Sequence, residues 1–286
     1  MTGPVLVGEA RPDPAAVSTL AAAAEAADGV APLSEPVLID LHENAGRHFL
    51  ATRDRTLVGY AHLDADGAEL VVHPDHRQQG IGGRLLDALE SAGARLGWAH
   101  GRRPAALAFA AARGWTAART LWQLRRPLTD EIPDAPLPDG ITLRPFVPGQ
   151  DEDAWVAVNA RAFAHHPEQG AWTVRDLELR EAEPWFDPAG FLLAVRDGTG
   201  ELAGFHWTKV HPGQPPIGEV YVLGVDPSAQ GMRLGPALTV AGLRYLRDRG
   251  LTDVLLYVDD DNPAAVRLYQ RLGFGEWDAD VQFRRP

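Results

Sequence analysis

The segment Val71-Val72-His73-Pro74-Asp75-His76-Arg77-Gln78-Gln79-Gly80-Ile81-Gly82 decides the fold class of this chain. It has the pattern of a strand end, a proline turn, a glycine-containing loop and the start of an amphipathic helix. Glycines at a helix start let backbone N–H groups come close to an anion, which the helix dipole also favours. Such a loop alone is a weak signal, but its place between a strand and a helix predicts a pyrophosphate site.

The same series of elements occurs twice along the chain. Phe49–Asp54 and Leu57–Tyr60 match Leu192–Asp197 and Leu202–Phe205, and each pair has the pattern of two strands joined by a tight turn. A proline turn, a loop and a helix follow in both copies. Because the offsets of 143 to 159 residues keep one order throughout, the pattern indicates a duplicated domain and not a short solenoid repeat.

A proline-rich segment separates the two copies. Residues 126–140 hold four prolines and no helical periodicity, which is typical of a semi-rigid extended linker. We therefore predict an N-terminal domain over 1–126, a linker over 127–140 and a C-terminal domain over 141–286. Strands alternate with helices in both copies, which predicts an α/β fold in which each domain has a central mixed sheet flanked by helices.

Capping residues mark several helix ends in the sequence. Asp13 before Pro14 and Asn262 before Pro263 predict helix starts, because a capping side chain is followed by proline at the first helical position. Gly273 predicts a helix end.

Composition excludes several classes of protein. The 286 residues carry a net charge of −12, with −2 over residues 1–130 and −10 over residues 131–286, so a nucleic acid backbone would be repelled. The sequence contains no run of eighteen apolar residues and no signal-peptide pattern, and we expect a cytoplasmic protein without a membrane span. Cysteine is absent, which excludes disulfides, thiolate metal sites and a cysteine-bound acyl group.

The glycine loop resembles the pyrophosphate loop of the GCN5-related N-acetyltransferases, Arg/Gln-x-x-Gly-x-Gly/Ala. Arg77–Gly82 fits this pattern in full, whereas Gln230–Gly235 in the second copy has Arg233 in place of the first glycine. Two outcomes are open. Arg233 keeps a helical backbone and adds a cation for the phosphates, or its side chain fills the space that the pyrophosphate needs. We favour the first, because a helix N-terminus does not require a positive φ.

A second motif resembles the late signature of the same family, Asn-x-x-Ala-x-x-x-Tyr-x-x-x-Gly-Phe. Asn262–Phe274 matches it, and the resemblance makes Tyr269 the acid that protonates the leaving thiolate. Glu219, on the strand before the second loop, stands where the family commonly keeps the general base for the acceptor amine. In the first copy Ala110 stands opposite Tyr269, and Asp66, in a turn, stands opposite Glu219. The first copy thus matches the pyrophosphate-loop pattern more closely, whereas only the second copy has residues at both the general-acid and the general-base positions.

Two tandem domains with this asymmetry resemble actinobacterial members of the family that acetylate the cysteinyl amine of cysteinyl-glucosaminyl-inositol. The resemblance covers essentially the whole chain and is most specific at Gly204–Pro212, which contains Lys209, the only lysine among 27 basic residues. It implies direct transfer from acetyl-CoA to a small-molecule amine, with a backbone N–H of Leu223 or Val225 meeting the oxyanion. The residues implied for acceptor binding are Glu35, Glu183, Lys209, Glu219 and Tyr257.

The resemblance also implies an acetyl-CoA site in each copy. The site of the second copy, which we expect to be the catalytic one, consists of Leu223, Gly224, Val225, Gln230, Gly231, Met232, Arg233, Leu234, Gly235, Pro236, Asn262, Ala265 and Arg267. The site of the first copy, which we expect to bind without reacting, consists of Leu70, Val71, Val72, Gln78, Gln79, Gly80, Ile81, Gly82 and Gly83.

Two other interpretations remain open: an N-acetyltransferase for another small amine, and a non-catalytic module that senses acyl-CoA. No metal site is expected. His206 and His211, five residues apart on a strand, face opposite sides, and Asp259–Asp261 has no further ligand spacing. The expected partner is the small-molecule acceptor, with no nucleic acid and no membrane, and we expect a monomer.

Overall fold

A computed structural model describes residues 3–286, apart from the side chains of residues 167 and 168. The chain forms two compact units. The first unit contains the residues up to Leu121 together with Asp278–Pro286, and the second contains Trp122–Trp277. In each unit helices flank a mixed sheet, which confirms the predicted α/β fold class.

The first unit is built around a mixed sheet. In chain order its elements are β1 (Leu6–Glu9), α1 (Pro14–Asp28), α2 (Glu35–Glu43), β2 (Arg47–Arg53), β3 (Thr56–Leu63), β4 (Ala68–Val72), α3 (Ile81–Ser91), β5 (Leu96–Ala99) and α4 (Pro104–Ala112). Strand β6 (Thr116–Pro127) leads into the second unit, and β12 (Gly275–Arg284) returns from it. The strand order is β1-β2-β3-β4-β5-β12, with β4 and β5 parallel and the other pairs antiparallel.

The second unit repeats this plan. Its elements are β7 (Ile141–Pro145), α5 (Glu152–Ala162), α6 (Pro167–Gly170), α7 (Val174–Glu181), β8 (Phe191–Arg196), β9 (Leu202–His211), β10 (Ile217–Val225), α8 (Leu234–Asp248), β11 (Asp253–Asp259) and α9 (Pro263–Arg271). The strand order is β11-β10-β9-β8-β7, and β10 and β11 are parallel. Short 3-10 turns lie at Pro74–His76, Pro188–Gly190 and Pro227–Ala229.

The capping residues act where the sequence predicts them. Asp13 accepts a hydrogen bond from the N–H of Ala15 at 3.1 Å, and Asn262 accepts one from the N–H of Ala265 at 3.1 Å. Both bonds satisfy a backbone donor that the first turn of a helix leaves without a partner. Gly273, with φ at 85°, follows the end of α9, in a left-handed conformation that glycine adopts without strain.

The division into units differs from the predicted domain boundaries. The C-terminal segment Asp278–Pro286 belongs to the first unit, because its strand pairs with β5 and completes that sheet. Residues 128–140 contain no helix or strand. However, Leu128 and Ile132 are buried in the core of the second unit, so this segment packs as part of that unit.

Helices cover both faces of the second sheet. Helix α8 packs against β8, β9 and β10, and α5 packs against β9 and β10. Trp155 of α5, Phe191 and Trp207 are fully buried in one aromatic cluster, in which the rings of Phe191 and Trp207 stack at 4.4 Å. This cluster fixes β9 and β10, the strands that carry the polar residues described below. Among the described residues, no helix has the length and apolar character needed to cross a membrane.

Candidate active site

The parallel strands β10 and β11 pair over only part of their length. Their pairing runs from Gly218 opposite Val254 to Val220 opposite Leu256. Strand β10 continues to Val225 and β11 continues to Asp259. An irregularity in the β9 pairing between Val220 and Val222 falls at the same level. The two strands therefore open into a fork, whose backbone N–H and C=O groups can bind an extended ligand.

Glu219 stands at the base of this fork. Its residue is 6% exposed, and its Oε2 lies 2.6 Å from Nε2 of His211 on the neighbouring strand. Lys209 is the cross-strand partner of Glu219. Because side chains alternate along a strand, Lys209 and His211 share one face of the sheet. Strands β9 and β10 thus gather a carboxylate, an imidazole and an ammonium.

Lys209 is packed against aromatic rings. The residue is 8% exposed. Its Nζ lies 4.4 Å from the ring centroid of Trp185 and 5.1 Å from that of Tyr221. These distances are within the range of cation–π attraction, which is stronger at a desolvated site. The two rings therefore stabilise the buried ammonium and fix its position beside Glu219.

A second buried cation contacts Tyr221 and the neighbouring ring of Trp172. Arg180 of α7 is 6% exposed, and its guanidinium lies 3.8 Å from the ring centroid of Trp172. Its Nε donates to the hydroxyl of Tyr221 at 2.9 Å, and its Nη1 donates to the carbonyl of Asp176 at 2.8 Å. No carboxylate of the described residues pairs with this guanidinium. Since a buried arginine normally has such a partner, Arg180 can still serve a polar ligand.

The loop of the second unit corrects one expectation. Arg233 immediately before α8 has φ at 63°, and Gly231 has φ at 86°. The matching positions of the first loop, Gly80 and Gln78, have φ at 75° and 59°. The expectation that Arg233 keeps a helical backbone is therefore wrong, because both loops require left-handed residues at these two positions. A non-glycine residue there costs about 1–2 kcal/mol.

The rest of the second acetyl-CoA set lies around this loop. Leu223, Gly224 and Val225 end β10, while Gln230 and Met232 lie in the loop. Leu234, Gly235 and Pro236 form the first turn of α8, and Ala265 and Arg267 lie in α9 behind the Asn262 cap. The guanidinium of Arg233 makes no hydrogen bond or ion pair with the part of the chain that the structure describes. It is therefore available to an anion at the N-terminus of α8.

Tyr269 lies on α9 in the core of the second unit. It is 8% exposed and belongs to the same buried cluster as Val220 and Leu256, the last paired residues of the fork. Burial raises the pKa of its hydroxyl to about 12. The hydroxyl therefore keeps its proton at neutral pH, as a proton donor must.

The other predicted acceptor residues are more dispersed. Tyr257 on β11 is 40% exposed, and its hydroxyl accepts a hydrogen bond from Nε2 of Gln123 at 2.8 Å. Glu183 follows α7 and is half-buried. Glu35 opens α2 in the first unit. Sequence reasoning missed His211 as the partner of Glu219, and it missed Arg180 and Tyr221. Contacts between distant segments single these residues out.

The first unit has a fork of its own with a cavity beside it. Strands β4 and β5 pair at Ala68 opposite Gly97, and a cavity of about 490 Å³ lies next to this pair. The predicted first-site residues that line it are Leu70, Val71, Val72, Gln78, Gly80, Ile81, Gly82 and Gly83. Gln79 does not line it, and its side-chain amide donates to the carbonyl of Asp75 at 3.3 Å.

A buried carboxylate of the first unit, Glu69, already has partners within the protein. Glu69 on β4 accepts from the N–H of Ser34 at 2.8 Å and lies 3.2 Å from Nε2 of His100. Nδ1 of His100 lies 2.9 Å from Asp280. Burial opposes both charges, but the two carboxylates outweigh it and raise the pKa of His100 to about 10. His100 and Ser34 likewise hold the pKa of Glu69 below its usual value, despite its burial. Glu69 is therefore a poor candidate for a base.

One group of described residues has the composition of a metal site. Asp40, His62 and Asp64 of the first unit each offer a ligand atom within 4.8 Å of the others. Burial opposes a charge on His62, but Asp40 and Asp64 outweigh it and raise its pKa. His206 is buried, and its Nδ1 lies 2.7 Å from the carbonyl of Leu238. Its contacts are thus separate from those of His211, as predicted.

Both copies match profiles of one enzyme family. The profile of the acetyltransferase (GNAT) family matches residues 156–274, and that of the acetyltransferase (GNAT) domain matches residues 44–117. A GCN5-related N-acetyltransferase from Sphaerobacter thermophilus is 29% identical, with a TM-score of 0.70 over 100% of this chain and 98% of the other. A tandem GNAT protein from the clavulanic acid pathway, 22% identical, has the same fold, with a TM-score of 0.71 over 98% of both chains. The fold, the forks and the loops define a tandem GNAT acetyltransferase.

More similar relatives narrow this class. The mycothiol acetyltransferase of Salinispora arenicola is 58% identical over 96% of this chain and 94% of its own length. That of Thermobispora bispora is 55% identical over 100% of both chains. At this identity over nearly the full length, the chain belongs to the mycothiol acetyltransferase family of GCN5-related N-acetyltransferases.

Proposed function

We propose that this chain transfers the acetyl group of acetyl-CoA to the cysteinyl amine of desacetylmycothiol, which is cysteinyl-glucosaminyl-inositol. This would be the last step of mycothiol biosynthesis. The observation that carries the proposal is the buried carboxylate of Glu219 at the base of the fork. His211 holds it at 2.6 Å, with Lys209 opposite on the neighbouring strand. The names of relatives at 55–58% identity support the identity of the acceptor.

Glu219 and Tyr269 would divide the proton transfers between them. The acceptor amine is protonated at neutral pH, so Glu219 first removes a proton. The free amine attacks the thioester carbonyl carbon, and a backbone N–H of Leu223 or Val225 donates to the carbonyl oxygen as it becomes negative. As the C–S bond breaks, the Tyr269 hydroxyl gives its proton to sulfur, and CoA leaves as the thiol. The second proton on nitrogen returns to the Tyr269 oxygen through water.

His211 would give the proton on Glu219 a route out. The Glu219 side chain is 8% exposed, whereas that of His211 is 35% exposed. Each turnover releases one proton overall, and it must leave the buried carboxylate before the next acceptor binds. An imidazole in contact with both the carboxylate and solvent accepts that proton and passes it to water.

The wall of aromatic rings and cations suits a sugar acceptor. Hydroxyl groups need hydrogen-bond donors, which the Lys209 ammonium and the Arg180 guanidinium provide. The rings of Trp185, Trp172 and Tyr221 offer apolar faces that fit the faces of a sugar ring. The expected contacts of Glu35, Glu183 and Tyr257 belong to the same proposal.

The first unit would bind acetyl-CoA without using it. Its loop has the same left-handed positions as the second loop, and a cavity lies beside its fork. It lacks the two proton carriers, because Ala110 replaces Tyr269 and Glu69 is held by His100 and Ser34. That the protein is a monomer, works in the cytoplasm and needs no metal remains a prediction.

A turnover assay tests the function directly. Release of CoA thiol is followed with acetyl-CoA and the cysteinyl pseudodisaccharide, and in parallel with simple primary amines. We expect the pseudodisaccharide to exceed the simple amines by about 10²-fold or more in kcat/KM, because their lack of sugar contacts removes several hydrogen bonds. Equal rates would favour an acetyltransferase for another amine. Binding of acetyl-CoA without turnover of any amine would favour a sensor module.

A further inference from the structure

The cavity of the first unit has more apolar wall than an acetyl group would cover. At one end it meets the loop before α3 and is lined by Arg77, Gln78 and Gly80. Much of its wall is apolar and consists of Ala68, Leu70, Val72, Leu86, Leu89, Phe109, Ala110, Trp115 and Phe283, while Asp28, His76, His100 and Arg103 also line it. All nine apolar residues belong to, or pack against, a single hydrophobic core cluster of the first unit. The cavity therefore connects an anion-binding loop with the core of this unit.

The inner wall reaches past the base of the fork. Ala68 and Gly97, the parallel pair of β4 and β5, both line the cavity. Beyond them the lining includes Leu89 and Trp115, which are 0% and 5% exposed. An acyl group attached at the fork would thus have apolar space ahead of it. Apolar surface of this kind favours the burial of apolar ligand groups.

A single difference between the two copies accounts for part of this space. Alignment of Gly114 with Gly273 places Ala110 opposite Tyr269. Tyr269 fills its position in the second unit with a buried phenol, whereas Ala110 leaves only a methyl group at the cavity wall. The neighbouring Ala106 is also small.

We propose that the first unit binds acyl-CoA whose acyl chain is longer than acetyl, with butyryl and hexanoyl groups as the class that fits. This inference rests on the proposed acyl-CoA site of the first unit and goes beyond it, since it assigns that site a ligand other than the acetyl donor of the reaction. The loop holds the phosphates, and the chain extends from the fork into the core. Each methylene that leaves water for such a cavity gains about 0.8 kcal/mol.

Calorimetric titration of the full chain with CoA, acetyl-CoA, butyryl-CoA and hexanoyl-CoA tests this. The variant Gly235→Glu silences the second site, because it adds bulk and negative charge where phosphates would bind, so that only the first site is measured. We expect affinity to rise with chain length, with hexanoyl-CoA about tenfold or more tighter than acetyl-CoA. Equal or weaker binding of hexanoyl-CoA overturns the inference.

A pair of substitutions on helix α4 tests where the acyl chain of the ligand binds. Ala110→Tyr restores the residue of the second copy and fills the cavity, whereas Ala111→Tyr places the same side chain on the exposed side of α4. We expect Ala110→Tyr to bring the ratio of hexanoyl-CoA to acetyl-CoA affinity to about one, and Ala111→Tyr to leave that ratio unchanged. If Ala110→Tyr still binds hexanoyl-CoA more tightly than acetyl-CoA by the wild-type ratio, the acyl chain lies elsewhere and the inference is contradicted.

The outcomes separate this inference from the proposed function. If no CoA compound binds in Gly235→Glu, the first unit has no acyl-CoA site, and both the proposed acetyl-CoA site of the first unit and this inference fail. If acetyl-CoA binds and longer chains do not bind more tightly, only this inference fails. If Ala110→Tyr does not fold, the milder Ala106→Val and Ala106→Leu reduce the same cavity in steps and must lower the chain-length ratio in the same order.

Discussion

The two copies share a fold and differ in what occupies the fork. In the second unit the buried Glu219 is held by the half-buried His211, and Tyr269 lies in the core cluster at the base of the fork. In the first unit the buried Glu69 is neutralised by His100, and Ala110 leaves a cavity. The loops before the two forks nevertheless have one backbone conformation. The comparison shows that ligand binding and proton transfer are separable properties of this fold.

The loops divide their glycines in opposite ways. Each needs a left-handed residue at its second and fourth positions, and each has glycine at one of them. The first loop has Gln78 and Gly80, and the second has Gly231 and Arg233. The substitution of arginine for glycine thus keeps the geometry at an energetic cost, and it adds a cation in the loop of the unit that we propose to be catalytic.

The largest effect should come from the base. Glu219→Gln leaves the hydrogen-bond geometry in place but removes the proton acceptor, so we expect kcat to fall by roughly 10²-fold or more. Asp66→Asn, at the aligned position of the first copy, serves as the matched control and should retain wild-type turnover. Steady-state rates of thiol release measure both. Turnover of Glu219→Gln at the wild-type rate would move the chemistry away from the second unit.

The effect of removing the acid, Tyr269, on kcat should depend on the acidity of the leaving thiol. Tyr269→Phe removes only the hydroxyl, and we expect kcat with acetyl-CoA to fall by roughly 10²-fold. An acetyl thioester of a more acidic thiol needs less help, because its thiolate leaves without a proton. The deficit should therefore shrink with such a donor. An equal deficit with both donors would indicate that Tyr269 has a packing role, like the other residues of its cluster.

The role of His211 can be divided between orientation and proton transfer. His211→Ala should lower kcat about tenfold, since it removes a hydrogen bond to a charged group. His211→Gln keeps an N–H donor but cannot accept a proton and pass it on, so its kcat should be nearly as low as that of His211→Ala. Added imidazole should raise the kcat of His211→Ala. His42→Ala, on the exposed face of α2, is the control. Full activity of His211→Gln would reduce His211 to a positioning residue.

Lys209→Arg tests whether the aromatic rings and cations around Lys209 bind the acceptor. It keeps the charge but replaces a compact ammonium between two rings by a planar guanidinium. We expect the KM for the acceptor to rise about tenfold, the effect of one lost contact of ~1.4 kcal/mol, with little change in the KM for acetyl-CoA. Titration of each substrate at saturating levels of the other decides this. An equal or larger effect on acetyl-CoA would place Lys209 at the phosphates.

The smallest effects should come from the loops and should separate strain from charge. Gln78→Gly and Arg233→Gly each remove a left-handed non-glycine residue, so each should raise the free energy of unfolding of its own unit by about 0.5–1 kcal/mol. Only Arg233→Gly also removes a cation, and the KM for acetyl-CoA should rise about threefold. Calorimetric unfolding measures the change in the free energy of unfolding, and steady-state titration with acetyl-CoA measures the change in KM. A stabilised Arg233→Gly with unchanged KM would remove Arg233 from the phosphate site.

The sequence by itself determined the features that depend on neighbouring residues. The duplication, the capped helices, the turn containing Asp66 and the two loops all follow from patterns within about a dozen residues, because caps, turns and periodicity are local. The family motifs added Glu219 and Tyr269 by position. Composition correctly left out disulfides, since there is no cysteine to form them.

The tertiary structure decided what depends on contacts between distant segments. It placed His211 against Glu219 across two strands, brought Arg180 of α7 to Tyr221 of β10, and gave the C-terminal strand to the first unit. It also imposed a left-handed conformation on Arg233, against the local preference of arginine. Strand pairing and packing set these features, and an alternating pattern fits either sheet equally well.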